Sequence, residues 1–232
     1  MFKMSKMMFL LIMVVSSIMV VSSNNWLGAW MGMEMNLMAF IPYISNTNKN
    51  ATQAMMFYFL SQSLGTMVLL FSLLMLPLVT ISPVVINSII EVLMTASILI
   101  KLGAAPFHNW LPKVMNCMNW DNILMLMTLQ KLAPLFFLSN ININMEVTLM
   151  SIIMSTIVGS IGGLNFSSLR KIMVYSSINH LGWMMMMAVI QTQWYWYLII
   201  YSMMATSACL MFKMYNSYYL NDSFNIAISY NL

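Results

Sequence analysis

Long apolar runs separated by short polar breaks organise this chain. Eight of them, at residues 7–23, 26–44, 54–76, 84–105, 120–139, 147–163, 172–191 and 195–215, are long enough, or nearly so, to cross a hydrocarbon core of about 30 Å as helices. The punctuation between them is short and polar: Asn24–Asn25, SNTNKNATQ, a turn from Pro77 to Pro83, SNININ and NFSSLRK. The pattern predicts an all-α fold, a polytopic transmembrane helical bundle of about eight spans. Residues 1–215 form one domain in this reading, and 216–232 a polar C-terminal tail. The boundary at 105 has a second reading, because APFHNWLP also fits a break within a helix. The opening MFKMSKMMFLLIMVV has the basic start and apolar middle of a signal peptide. It lacks an A-x-A-like cleavage site, and the next span follows at once, so retention as a first span is expected. No internal repeat stands out.

Composition agrees with burial in lipid. Of 232 residues, 61% are hydrophobic and 6% charged, and the mean hydropathy is +0.83. A soluble domain carries about a quarter charged residues, so this chain has too few to cover a water-facing surface. The net charge of +4 is small and makes no nucleic-acid patch. Cys117 and Cys209 lie far apart and match no metal or redox spacing. The 31 methionines fit a code in which AUA reads as methionine, the animal mitochondrial habit. Drift toward a flexible apolar side chain is the plainer alternative.

Charge also orients the bundle. With the N-terminus inside, the inner segments carry Lys3, Lys6, Lys49, Lys113, Arg170, Lys171 and Lys213, seven of the nine basic residues. The outer turns carry none; Lys101 and Lys131 fall within spans. A one-sided distribution of this kind sets membrane orientation.

Four ionisable groups sit inside predicted spans: Glu34, Glu91, Lys131 and His180. Lys101 joins them if the fourth helix is interrupted and resumes. A charge at the bilayer centre costs about 2.5–3.5 kcal/mol on insertion scales. Such groups pair with one another or line a hydrated cavity. Lysine can be brought to exchange a proton near neutral pH, whereas arginine cannot. Glu34 lies in WLGAWMGMEMNLMAF behind Gly28 and Gly32, a small-xxx-small spacing that admits a close helix neighbour. Glu34 with Lys101 is therefore read as a switchable pair, and Lys131 as a proton acceptor. The structural alternative makes each charge an interhelical contact. Glu91 fits that alternative better, near a span end or facing a partner. His180, in YSSINHLGW, divides evenly between a relay and a helix–helix bond.

In ILIKLGAAPFHNWLPK, Pro106 removes a backbone donor and Gly103 loosens the turn before it. Backbone freed at membrane depth is tolerated only inside protein or beside water. A broken helix beside a lysine is how transporters build ion sites; an ordinary proline kink is the alternative. No G-x-G-x-x-G, P-loop or cysteine cluster is present. GSIGG at 159–163 lies in an apolar span, where small residues serve helix packing.

WLGAWMGMEMNLMAFIP, KLGAAPFHNWLP, LMLMTLQKLAPL and GSIGGLNFSSLRKIMVYSSINHLGW together resemble the antiporter-like membrane subunits of mitochondrial NADH dehydrogenase, respiratory complex I, in their insect form. The four motifs fall in the family's order across residues 24 to 190. The resemblance implies a subunit of the proton-pumping arm in the mitochondrial inner membrane, N-terminus on the matrix side. Glu34 matches the glutamate of G-x-E-x-N, Lys101 the lysine of K-x-G-x-A-P-F-H, and Lys131 that of Q-K-x-A-P. His180 matches a family histidine. These residues would relay protons, driven by quinone reduction elsewhere. The chain itself would bind no cofactor and no metal; NADH, FMN, iron–sulfur clusters and ubiquinone would belong to other subunits. Its partners would be other membrane-arm subunits and the lipid bilayer, with no nucleic acid.

Two other functional readings stand beside this one, a stand-alone cation/proton antiporter subunit and a structural membrane scaffold. One departure from the family pattern is large. The family continues past this length with a further broken helix bearing G-x-x-P-K-W and its own lysine. Here YNSYYLNDSFNIAISYNL leads to Leu232 and fits no family motif. A C-terminally partial sequence is the expected reason, a shortened protein the alternative.

Overall fold

In lipid an apolar segment satisfies its own backbone by forming a helix, and these runs do so. The computed structural model describes residues 2–45, 51–77, 85–141 and 144–222. The helices are α1 (Phe2–Ser22), α2 (Trp26–Ser45), α3 (Ala51–Met75), α4 (Val85–Leu102), α5 (Trp110–Asn116), α6 (Trp120–Met127), α7 (Leu129–Asn140), α8 (Met145–Leu164), α9 (Leu169–Val189) and α10 (Trp194–Met214). Among the described residues, seven segments combine the length and hydropathy of a membrane span. The remaining predicted span, 26–44, is the 20-residue helix α2. It is less apolar because it carries Glu34, Asn36 and two tryptophans.

The fourth predicted span is longer than its expected end at 105. α4 stops at Leu102, a one-turn 3-10 segment covers Phe107–Asn109, and α5 carries on to Asn116, so the whole span runs Asn87–Asn116. A second interruption was not expected. Predicted span 120–139 is two helices, α6 and α7, that meet at Thr128 (φ −108°, ψ −76°).

Consecutive helices pair as hairpins, α1 with α2, α3 with α4 and α8 with α9, while α7 sits centrally against α1, α2, α4, α6 and α9. α10 closes the bundle against α6 and α9. α7 buries Lys131, Ala133, Pro134, Leu135, Phe137 and Leu138. α1, α8 and α10 turn methionine, isoleucine and leucine outward, as lipid requires.

Among the described residues, Lys6, Lys113, Arg170 and Lys213 lie near the ends of helices. Lys6 at the start of α1 lies over the Tyr43 ring at the end of α2. Lys113 lies over Phe57 near the start of α3. Arg170 donates to the Asn116 and Met118 carbonyls, and Lys213 pairs with Asp121 at 2.7 Å. Lys49, the Lys3 side chain and tail residues 223–232 lie outside the described residues.

Close helix approach is set by glycine at two expected places. A Cβ on Gly32 would lie 2.7 Å from Val20 Cγ2 and 3.1 Å from the Ser16 carbonyl of α1. At Gly159 it would lie 2.6 Å from the backbone nitrogen of Asn179 and 2.8 Å from its Cα. Backbone cannot swing aside as a side chain can, so Gly159→Ala must part α8 from α9. Overpacking of this kind costs about 1–3 kcal/mol. The expected result is a lower midpoint of thermal inactivation in isolated membranes.

Candidate functional site

Lys101 occupies the last turn of α4. The chain then leaves the helix through Gly103 at φ +69°, a left-handed conformation that glycine adopts without a Cβ penalty. Gly103 N donates to the Leu99 and Ile100 carbonyls, and Ala104 N to Leu99. Carbonyls left open by the break find side-chain donors. Gln62 Nε2 of α3 donates to Lys101 O at 3.0 Å, and Trp110 Nε1 of α5 to Ile100 O at 3.1 Å. The break is thus satisfied inside protein, as membrane depth demands.

The Lys101 side chain is 6% exposed. Its Nζ lies 3.5 Å from Met33 Sδ on α2, beside Glu34 in the chain. Glu34 is within electrostatic reach of Lys101, yet among the described residues the ion pair within 4.0 Å is Lys213–Asp121. Glu34 itself is half-buried. It lines an open apolar groove of about 290 Å³ with Phe9, Ile12, Met31, Met35 and Met38.

Lys131 lies in the first turn of α7, just past the second break, and is 3% exposed. Thr128 Oγ1 donates back to Leu124 O at 2.8 Å, which closes the end of α6. Pro134 removes the backbone donor that would serve the Gln130 carbonyl. Lys131 Nζ donates to the Ser177 carbonyl of α9 at 2.9 Å and stands 5.0 Å over the Tyr201 ring. The two lysines meet opposite helix ends: the dipole attracts an ammonium at the end of α4 and opposes one at the start of α7.

Two small cavities of about 20 Å³ each adjoin Lys101, with room for about one water apiece. Tyr58, Gln62, Lys101 and Gln130 line both, and Lys131 lines one. Tyr58 Oη donates to Gln130 Oε1 at 3.1 Å, and Gln130 Nε2 donates to Asn36 Oδ1 at 2.9 Å. On the far side of Lys131, the His180 ring lies 5.1 Å from that of Tyr201, and its Nδ1 lies 2.8 Å from Tyr197 Oη.

Of the residues singled out in the sequence, Lys101 and Lys131 come together on one cavity, His180 sits beyond Lys131, and Glu34 flanks Lys101 from the groove side. Glu91 goes elsewhere. It is half-buried in α4 and lines a separate cavity of about 140 Å³ with Trp26, Asn87 and Asn140. Sequence reading passed over Asn36, Tyr58, Gln62, Tyr197 and Tyr201 as relay partners. Asn36 and Gln62 did leave a signal, as carboxamides in otherwise apolar spans. Among the described residues no three His, Cys, Asp or Glu side chains converge as a metal site.

Two buried amines that line one water-sized cavity with a hydroxyl and two carboxamides are groups of the kind that exchange protons through water. A match to the family described as NADH:quinone oxidoreductase/Mrp antiporter covers residues 23–232. This chain belongs to that family. Its relatives include the NADH-ubiquinone oxidoreductase chain 2 of Anopheles gambiae, 42% identical over 231 residues, covering 97% of this chain and 67% of the relative. The same subunit of Locusta migratoria is 39% identical, covering 95% and 65%, and that of Bos taurus 41% identical, covering 75% and 52%. The chain thus spans about two thirds of the length of its insect relatives. The fold of this NADH:quinone oxidoreductase/Mrp member is similar to a chain of Thermus thermophilus respiratory complex I, with TM-score 0.83 at 20% identity, over 89% of this chain and 50% of that one. A chain of the Mrp complex from Dietzia sp. matches with TM-score 0.74 at 13% identity, over 87% and 43%.

Proposed function

We propose that this chain is a membrane-arm subunit of a proton-translocating NADH:ubiquinone oxidoreductase of the mitochondrial inner membrane. It relays protons between Lys101 and Lys131, with Glu34 biasing the charge on Lys101 and His180 receiving beyond Lys131. The observation that carries the reading is a pair of lysines, 6% and 3% exposed, on one small cavity that Tyr58, Gln62 and Gln130 also line. Groups this costly to bury are retained for their charge chemistry. Quinone reduction, and the flavin, NADH and iron–sulfur clusters behind it, belong to partner subunits, and this chain holds no redox centre of its own. The N-terminus lies on the matrix side, because the basic end of the bundle belongs inside.

Relatives at 39–42% identity that carry the complex I subunit name favour this over a stand-alone antiporter. Lys131→Ala in the assembled complex is expected to lower the ratio of protons pumped to electrons transferred. NADH oxidation by a soluble electron acceptor should remain at the parental rate. A parental proton ratio in that variant overturns the proposal and supports a scaffold.

A further inference from the structure

His180 bridges the lysine path and α10. Its Nδ1 is 2.8 Å from Tyr197 Oη, and Tyr201, whose ring lies under the Lys131 ammonium, stands 5.1 Å from the His180 ring. Among the described residues no other hydrogen bond reaches the imidazole, so one nitrogen is engaged and the other is open. The groups that face it are Lys131 from α7 and Tyr197 and Tyr201 from α10. We propose that Tyr197 is a positioning residue for proton transfer: its oxygen accepts from His180 Nδ1–H and leaves Nε2 as the atom that takes a proton from Lys131. The inference deepens the relay reading and rests on it.

The step balances without a co-reactant. An N–H bond breaks at Lys131 Nζ and one forms at His180 Nε2, through an intervening water, giving a neutral amine and an imidazolium. In the neutral ring the Nδ1–H tautomer is the one that presents a lone pair at Nε2. Which nitrogen carries the proton is fixed by the bond the other one makes. Once the ring is charged, Tyr197 Oη accepts a stronger, charge-assisted hydrogen bond. Tyr201 holds the ring sideways through ring contact, and Tyr197 holds it through one nitrogen. The α10 partner therefore chooses the reactive atom although it never touches the lysine.

The test is made in the assembled complex in inner membranes. Tyr197→Phe keeps the ring and removes the acceptor. Hydrogen bonds to charged groups are strong enough that proton-coupled turnover should fall about tenfold, with KM for NADH unchanged and a larger rate decrease in D2O. Tyr195→Phe, an exposed neighbour, should match the parent. Tyr197→Gln restores an oxygen acceptor without the ring and should recover most of the rate. Equal losses in the Phe and Gln variants, or failure of both to assemble, would assign Tyr197 to packing and overturn the proposal. Parental turnover and isotope effect in Tyr197→Phe, alongside lost pumping in Lys131→Ala, would overturn it alone. Normal pumping in Lys131→Ala would instead overturn the relay reading beneath it.

Discussion

Lys101→Met is expected to abolish coupled proton transfer while the complex assembles at parental levels. Methionine is close to lysine in length and needs no counter-charge, and burying an ammonium costs several kcal/mol after relaxation, by order of magnitude. The folded bundle should therefore tolerate the change or gain from it. The Lys101 carbonyl still accepts from Gln62, because the backbone is untouched. What disappears is the protonatable group that lines both small cavities. Lys131 lines only one of them, so its loss is expected to be less complete. Proton uptake per electron, measured in reconstituted vesicles beside NADH oxidation by a soluble acceptor, checks the result. Retained pumping at Lys101→Met would mean the cavity conducts without its amine.

The second large effect concerns stability. Gly103→Ala places a Cβ 2.3 Å from Leu111 Cδ1 and 3.1 Å from Trp110 Cζ2, on a backbone already at φ +69°. The left-handed conformation costs a residue with a Cβ about 1–2 kcal/mol, and the overlap adds about 1–3 kcal/mol. Displacing Trp110 also strips the Ile100 carbonyl of its donor at 3.1 Å. Much less assembled complex, with a lower thermal midpoint, is the expected outcome. Adding Leu111→Ala removes the closest overlap but leaves the backbone strain, so the double variant should recover only part of the loss. Full recovery would mean sterics alone, and parental stability in the single variant would mean that α5 shifts freely.

The spans and the first break were legible because their causes are local. Apolar length sets the helices, and Gly103 with Pro106 marks the interruption beside Lys101 in residues that any reader can see. The second break has no such mark. Thr128 is an ordinary helix residue, and Pro134 lies six positions further on, inside α7. What places the turn is tertiary: Lys131 reaches the Ser177 carbonyl across 46 positions of sequence. The side of α2 that Glu34 takes was equally hidden. Met31, Met33, Met35 and Met38 flank it in the chain, so the apolar positions draw no single stripe that marks the buried face. Likewise Tyr58 and Gln130 are 72 positions apart, a contact that only the packing of α3 on the broken helix creates. Tyr195 and Tyr197 stand in an aromatic-rich WYWY run that reads as an interfacial belt. Nothing local singles out Tyr197 as the residue turned to His180.

Gln130 stands between the two lysines with both ends of its carboxamide engaged, its oxygen by Tyr58 and its nitrogen by Asn36. An amide does not ionise in the working range of pH, so it carries no proton across by itself. On the proposed relay, a proton would pass by way of water beside the amide rather than through the amide itself. A tethered carboxamide would separate the two lysines while keeping the space between them polar, which an apolar side chain in its place would not do.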